Sequence, residues 1–581
     1  MAGNANYPTI NPLARFSEQH YTSYPFTLSE GNRTYTTTTN NRGLITTTKI
    51  PTGQKYYWEW KIDSFGGSSD QCLIGVCERE VDLDSGSRGG GAADTYYHDS
   101  YFNTMHANSS SQSGSAVGTN YYRSSNLPAV VGVAVDRVNH TLKVKVRRLG
   151  DSDTASVAFG DTVTIPSDVD LFPWVGSGGG TQSAVGHMNF GQDSTFNGDL
   201  TAGGNADENG YGDFNMPVPS GYLALCSQNM PVVADFDPAE TNNFRNFNAV
   251  TYTGNGGTQN ITGFGFAPDL VWIAGRSTGY DKQVYDTTRG ATYALESNKT
   301  TNTSSAVSDG LTAFGTDGFT LGSNSEHNTN TNTYVAWGWK CNGGSTVTNN
   351  NGDIPSTVQA NVAGGFSIVK WTSNNTASQN IGHGLSAAPR FIISKPYSHS
   401  TWSWHVFHHN KGSIGKFALN GTDAFSGGST TYEAMPTSTI FSVGNVGNLM
   451  PNNSYTDVIS YCWHDVEGVQ KFGLYNGNGN ADGTFVNCGF KPKLIFIKRS
   501  DSSGSWLVSD SARRPNNDNT YREVYWNDAS AEQTGADSHD GVDYFANGFR
   551  LRATNAGANG SGGEYIYGAW ADVPFKYANA F

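Results

Sequence analysis

The sequence predicts an all-β chain: an antiparallel β-sandwich followed by three tandem β-rich, sandwich-like repeat domains. Three observations predict it. Glycine supplies 70 of 581 residues, aromatics are 12% and charged residues only 15%, a balance suited to many short strands joined by tight turns in which Gly, Asn and Asp accept positive φ. Apolar, aromatic-bearing runs of strand length recur about every 10 to 15 residues, which separates the chain from a disordered polar polymer. One short pattern also occurs three times in the C-terminal part.

Residues 1–30 read as an N-terminal arm. Its start, Met1 to Pro8, has neither a basic segment nor an apolar core, and no stretch approaches a membrane span, so neither a signal peptide nor membrane insertion is expected. Residues 31–232 read as the sandwich. Lys55-Tyr56-Tyr57-Trp58-Glu59-Trp60-Lys61 has the partial alternation of a half-buried strand, Leu73-Ile74-Gly75-Val76 is a buried one, and Val130 to Asp136 leads through an Asn139-His140-Thr141 turn into Leu142-Lys143-Val144-Lys145-Val146. Phe172-Pro173-Trp174-Val175 and His187-Met188-Asn189-Phe190 follow. The basic run Lys143 to Arg148 alternates with period two and reads as one solvated face of a strand.

The repeats are placed at 233–345, 346–468 and 469–581. Each holds a Gly-aromatic or Gly-Leu pair, a nearby proline and an apolar run: Gly265-Phe266-Ala267-Pro268 before Leu270-Val271-Trp272-Ile273, Gly384-Leu385 and Pro389 before Phe391-Ile392-Ile393, and Gly489-Phe490-Lys491-Pro492 before Leu494-Ile495-Phe496-Ile497. An aromatic strand precedes each (Phe247 to Gly256, Phe366 to Asn375, Phe472 to Gly479). A short strand follows (Asp317 to Gly322, Ile440 to Gly444, Asn547 to Leu551), and each copy closes on an aromatic strand ending at Trp339, Trp463 or Trp570. The prolines stand 121 and 103 residues apart, beyond the ~20 to 50 residues of solenoid repeats, so each copy reads as a small domain and the series as beads on a string.

Two resemblances rest on these residues. The order Gly53 to Glu59, Ile74-Gly75-Val76, Val131 to Asp136, Phe172 to Gly176 and Asn189-Phe190-Gly191-Gln192 resembles a SPRY (B30.2), concanavalin-like domain over about residues 30 to 230, with Asn126-Leu127-Pro128 replacing the family's usual Gly-Asp before the Gly-Val-Ala strand. The segment Pro217 to Pro231 is similar to the closing stretch of SPRY-like modules in structural proteins of tailed bacteriophages. The repeats and the terminal Pro574-Phe575-Lys576-Tyr577-Ala578-Asn579-Ala580 are similar to proteins seen mainly in phages of marine and other aquatic bacteria. The resemblance implies a virion protein made in the host cytoplasm and displayed on the tail or capsid exterior. It is expected to be a tail fibre or spike-type adhesin contacting a host cell-surface glycan or receptor. A capsid or tail decoration protein is the alternative, and a polysaccharide depolymerase a third. Expected partners are other copies of the chain, a homo-oligomer that includes a trimer among its possibilities, and other virion proteins.

The net charge of −14 argues against a nucleic-acid partner. The six cysteines form no CxxC pair and read as buried free thiols. No enzyme motif occurs, and the acidic pairs Asp82/Asp84, Asp207/Glu208 and Asp537/Asp540 sit in Gly/Ser-rich turns, although a glycan hydrolase needs two carboxylates about 5 to 10 Å apart. No catalytic residue, cofactor or metal is therefore assigned. His405, His408 and His409 are weak metal candidates because a strand sends His405 and His408 to opposite faces. Asn205 to Gly210 copies half a calcium loop but has Met216 where a bidentate Glu is needed, so a turn is expected. The binding candidates are Tyr96, Tyr97, His98, Asp99 and Tyr101, expected in a loop where ring faces stack on sugars. Trp402-Ser403-Trp404 is expected to be a core-facing strand.

Overall fold

The computed structural model describes residues 7–10, 26–37, 42–65, 71–78, 95–99, 104–107, 110–111, 127–149, 158–167, 169–178, 184–230, 246–301, 306–374, 376, 378–398, 402–412, 414–428, 431–444, 449, 456–517, 520–535 and 541–572. Most of the N-terminal arm, the pairs Asp82/Asp84 and Asp537/Asp540, Tyr101 and the terminal Pro574 to Ala580 lie outside the described residues. The described residues are almost entirely β, and the chain divides into two compact units, Met1–Pro231 and Val232–Phe581.

The first unit is an antiparallel sandwich. Its larger sheet runs Phe26–Ser29, Thr34–Thr37, Ala184–Asn189, Lys55–Phe65, Ala129–Asp136, Thr141–Arg148, Thr162–Thr164, with Leu223–Ala224 pairing in parallel with Tyr56 and Tyr57. The facing sheet runs Arg42–Ile45, Leu171–Gly178, Gln71–Glu78, Thr95–Asp99, Thr104–Ala107, Ser110–Ser111. Register sets Tyr56 opposite Val135, Trp58 opposite Val133 and Trp60 opposite Val131. Those six side chains face the second sheet and form the core with Val144 and Val146, as a period-two strand requires.

The other face of the same strands is covered too. Tyr57, Ala134, Phe214, Tyr222 and Cys226 make a second apolar cluster under residues 211–226. Glu59, fully buried, accepts hydrogen bonds from the backbone N–H groups of Asn215 (2.8 Å) and Met216 (2.7 Å) and from the Tyr57 hydroxyl (3.1 Å). Lys145, expected on a solvated face, is buried here instead. Its ammonium donates to Pro217 O at 2.6 Å and lies over the Tyr57 ring.

The second unit holds the repeats, each built as one larger antiparallel sheet facing a three-stranded one. In the first repeat the large sheet runs Phe247–Thr253, Thr333–Trp339, Leu270–Gly275, Gln283–Asp286, Leu295–Glu296, and the small sheet Gln259–Thr262, Gly318–Leu321, Leu311–Gly315. The second repeat repeats this plan from Phe366–Thr372 to Asp457–Trp463, and adds the hairpin Val347–Asn349 and Ser356–Asn361 at one edge. The third repeats it from Gln470–Asn476 to Glu564–Ala571. The recurring glycine has a backbone cause: Gly265, Gly384 and Gly489 have φ of 80°, 74° and 81°, values that a Cβ makes costly.

The beads-on-a-string expectation does not hold within this unit. Each repeat has its own core between its two sheets, but the outer faces of the three large sheets meet in one further core shared by all three. Trp339, Trp463 and Trp570, the last residue of the closing strand in the first two repeats and the next to last in the third, touch pairwise edge to face. Their ring centroids are 6.0 Å (339–463), 5.5 Å (339–570) and 5.9 Å (463–570) apart, at 63° to 75°. Phe391 against Phe496 and Trp272 against Trp526, at 4.7 and 4.2 Å, extend the same seam. The physical reason is that these strands are apolar on both faces, which a separate two-layer bead leaves half exposed.

Candidate functional site

Polar contacts between the repeats follow the same threefold order. Asp286 in the first repeat accepts from the Tyr461 hydroxyl of the second (2.8 Å), His408 in the second meets Tyr567 O of the third (3.2 Å), and Asp510 in the third accepts from the Trp337 indole of the first (3.0 Å). Asp286 and Asp510 each also pair with an arginine three residues on, Arg289 and Arg513, at 2.6 Å and almost without solvent exposure. A lysine ammonium closes each junction. Lys395 donates to Thr300 O (2.9 Å), Lys498 to Thr422 O (3.2 Å) and Asp423 O (2.8 Å), and Lys282 to Ser530 O (2.8 Å), each reaching a backbone carbonyl in a neighbouring repeat. Burial pulls these ammonium groups down to about 7 for Lys395 and about 8 for Lys282 and Lys498, against the opposing pull of nearby carboxylates.

The residues singled out for binding do not form an exposed loop. Tyr96, Tyr97, His98 and Asp99 belong to the strand Thr95–Asp99, and all four side chains are buried. Tyr96 points into the sandwich core, and Tyr97, on the other face, stacks flat on His106 at 4.9 Å and meets Trp174 edge-on at 5.5 Å. Burial pushes the Tyr97 hydroxyl up and the His106 imidazole down. The Tyr96 and Tyr97 rings are both buried on a strand that is paired on both sides. The sequence shows aromatics beside Gly/Ser-rich stretches, and the short strand between them was the missed element.

Among the described residues, two side-chain groups have donors arranged to hold a cation: Asp63, His187 and Asp199 in the first unit, and Asp281, Glu296 and Glu326 in the second. In each a lysine already sits among the carboxylates. Lys61 bonds to Asp63 and, at 2.8 Å, to Asp199, while His187 Nε2 is 2.8 Å from Asp63. Burial alone would raise the Asp63 carboxyl, but the hydrogen bonds from His187 and Lys61 outweigh it and hold it below its ordinary value. Lys299 likewise bonds to Asp281 and lies 3.4 Å from Glu296.

The histidines of the second repeat diverge. His408 and His409 spend Nε2 on Tyr567 O and Phe472 O, and His405 lies with Phe407 on the other face of the strand. The Asn205 to Gly210 segment is a turn. Asp207 accepts from the backbone of Asn209, Tyr211 and Ala224, and Glu208 from Ser220 and Gly221. Trp404 is fully buried in the shared core, its indole donating to Glu296 O at 2.9 Å, but residues 402–404 precede the strand instead of forming one. The six cysteines are buried and none is in a disulfide.

No curated protein matches this chain. Among solved structures it is similar to stonustoxin (9% identity, 32% of this chain and 31% of that chain, TM-score 0.23), to the SPRY domain of human HERC1 (15%, 28% and 92%, 0.21) and to peanut lectin with a nine-residue peptide (13%, 29% and 94%, 0.20). The chain thus spans about a third of the stonustoxin chain. A family described as a domain of unknown function, DUF7483, matches residues 243–574, the three repeats with their shared core, and the chain belongs to that family.

Proposed function

We propose that this chain is a non-enzymatic structural protein of a tailed-bacteriophage particle, a fibre- or spike-type adhesin that contacts host-surface glycans. The observation that carries the reading is the closure of three repeats around one aromatic core. That closure makes a rigid scaffold inside one chain and leaves the connecting loops as fixed display surfaces, the usual division of labour between scaffold and recognition. The similarity of the SPRY-like stretch and of the repeats to phage structural proteins supports it. A net charge of −14 favours a glycan or protein partner over a polyanion. The use of Asp207 and Glu208 as turn acceptors favours binding over hydrolysis. Several copies on one particle would turn weak contacts into avidity.

One observation favours a second reading. A closed body gives less reach than a string of beads, which suits a decoration protein on the capsid or tail. Labelling particles with an antibody to this chain tests both: label at the tail tip with blocked adsorption is the expected result. Label spread evenly over the head moves the assignment to decoration, and reducing sugar released from host polysaccharide overturns the non-enzymatic reading.

A further inference from the structure

The hairpin Val347–Asn349 and Ser356–Asn361 belongs to the second repeat and, among the described residues, has no counterpart in the sheets of the other two. It pairs with Phe366–Thr372, and at the end of that pairing lies an open cleft of about 370 Å³ whose polar lining includes Asp353, Thr357, Lys370, Thr372 and Asn374. That volume is near the lower end of small-ligand sites, about 300 to 1,000 Å³, and the polar groups stand beside Ile354, Pro355 and Trp371.

Lys370 is the informative residue. It pairs across the strands with Thr357 and with Ile459; the same register position is Thr251 in the first repeat, opposite Val335, and Leu474 in the third, opposite Ile566. A cation therefore stands where the other repeats have neutral side chains. Lys370 is half-buried and, among the described residues, takes part in no ion pair or side-chain hydrogen bond. The other cleft groups are partly committed: Asp353 accepts from the Asn380 backbone (2.9 Å), Thr372 donates to Asp457 (2.6 Å) and Asn374 donates to Gln379 (2.9 Å). Asp353 keeps a carboxylate oxygen free of these bonds.

We infer that this cleft is a subsite for a carboxylate-bearing sugar, its carboxylate taken by Lys370 and its hydroxyls by Asp353, Thr357 and Asn374. The inference rests on the glycan-contact reading and names the charge class of the glycan. Trp371 in the lining is buried and offers no open ring face, so recognition depends on charge and falls with salt.

The test is saturation-transfer NMR on the full chain with D-glucuronate and, separately, D-glucose. Glucuronate should receive saturation and glucose several-fold less. Lys370→Thr, which installs the first repeat's residue at a half-buried strand-end site, should weaken glucuronate at least tenfold with little change in the thermal midpoint. Asp353→Asn should strengthen it, because it removes a like charge while keeping an acceptor. Opposite signs for two neighbouring surface variants separate binding from altered folding. Absence of transfer to glucuronate, or equal transfer to the wild type and Lys370→Thr, overturns the subsite. Tail labelling and blocked adsorption together with either of those results would leave the adhesin reading standing while removing this one.

Discussion

The two units cover the second face of their central strands by different means. In the first, the strand Lys55–Phe65 carries Glu59 and Lys61 on that face, and a segment of the same unit returns over it, held by hydrogen bonds to Glu59. In the second, the corresponding faces carry Trp337, Trp463 and Trp570 among other aromatics, and what covers them is another repeat. A face that mixes Tyr57 and Ala134 with Glu59 and Lys61 can be covered by a local segment through a small apolar cluster and a few directional bonds, whereas a broad aromatic face needs an equally broad apolar partner. The first unit is consequently a self-sufficient sandwich, and the three repeats are expected to fold and unfold as one body.

The largest effect should come from the central ring. Trp570→Ala removes a side chain that touches both Trp339 and Trp463 and should cost about 4 kcal/mol, with the loss appearing across all three repeats in a calorimetric scan. None of the three indole N–H groups has a hydrogen-bond acceptor, so Trp570→Phe should cost much less. Destabilisation limited to the third repeat would break the comparison.

Next in size is the buried pair Asp510–Arg513. Asp510→Ala strands the Trp337 indole and takes the nearest carboxylate from a fully buried guanidinium, leaving it Glu532 at 3.2 Å, and should cost about 3 kcal/mol. The double change Asp510→Asn with Arg513→Met should recover most of it, as read by urea unfolding. In the first unit, Glu59→Gln turns two backbone donors toward an amide that can satisfy only part of them, for about 2 kcal/mol; only that unit's transition should move.

The smallest effect, per residue and per pH unit, is a pH slope. Lys282, Lys395 and Lys498 have folded values lowered by burial to about 8, 7 and 8, so between those values and the ordinary lysine range the unfolded chain holds more protons. Stability of the second unit should therefore rise as pH increases from about 7 to 9.5, by at most about 1.4 kcal/mol per pH unit for each lysine. Lys395→Met should flatten part of that slope.

Much of this was legible in the sequence. Alternation in Tyr56, Trp58 and Trp60 reports one buried face, and the Gly-Pro-apolar pattern marks the same strand in each repeat. The shared core also left a trace: Leu270-Val271-Trp272-Ile273 and Leu494-Ile495-Phe496-Ile497 do not alternate, and an antiparallel strand without alternation is buried on both sides. What no local pattern carries is the partner, because Trp339, Trp463 and Trp570 meet across more than a hundred residues of chain. The candidate binding site was less legible. Tyr97 looks like a loop aromatic until its pairing with His106 and Gly75 is known, and Lys370 stands out only once register identifies Thr251 and Leu474 as its counterparts.

Hydrogen exchange followed by mass spectrometry through a urea series tests the central claim most directly. Peptides from 247–339, 366–463 and 470–571 should lose protection together, in a step separate from that of the first unit. Three separate steps, one for each repeat, would contradict the shared core.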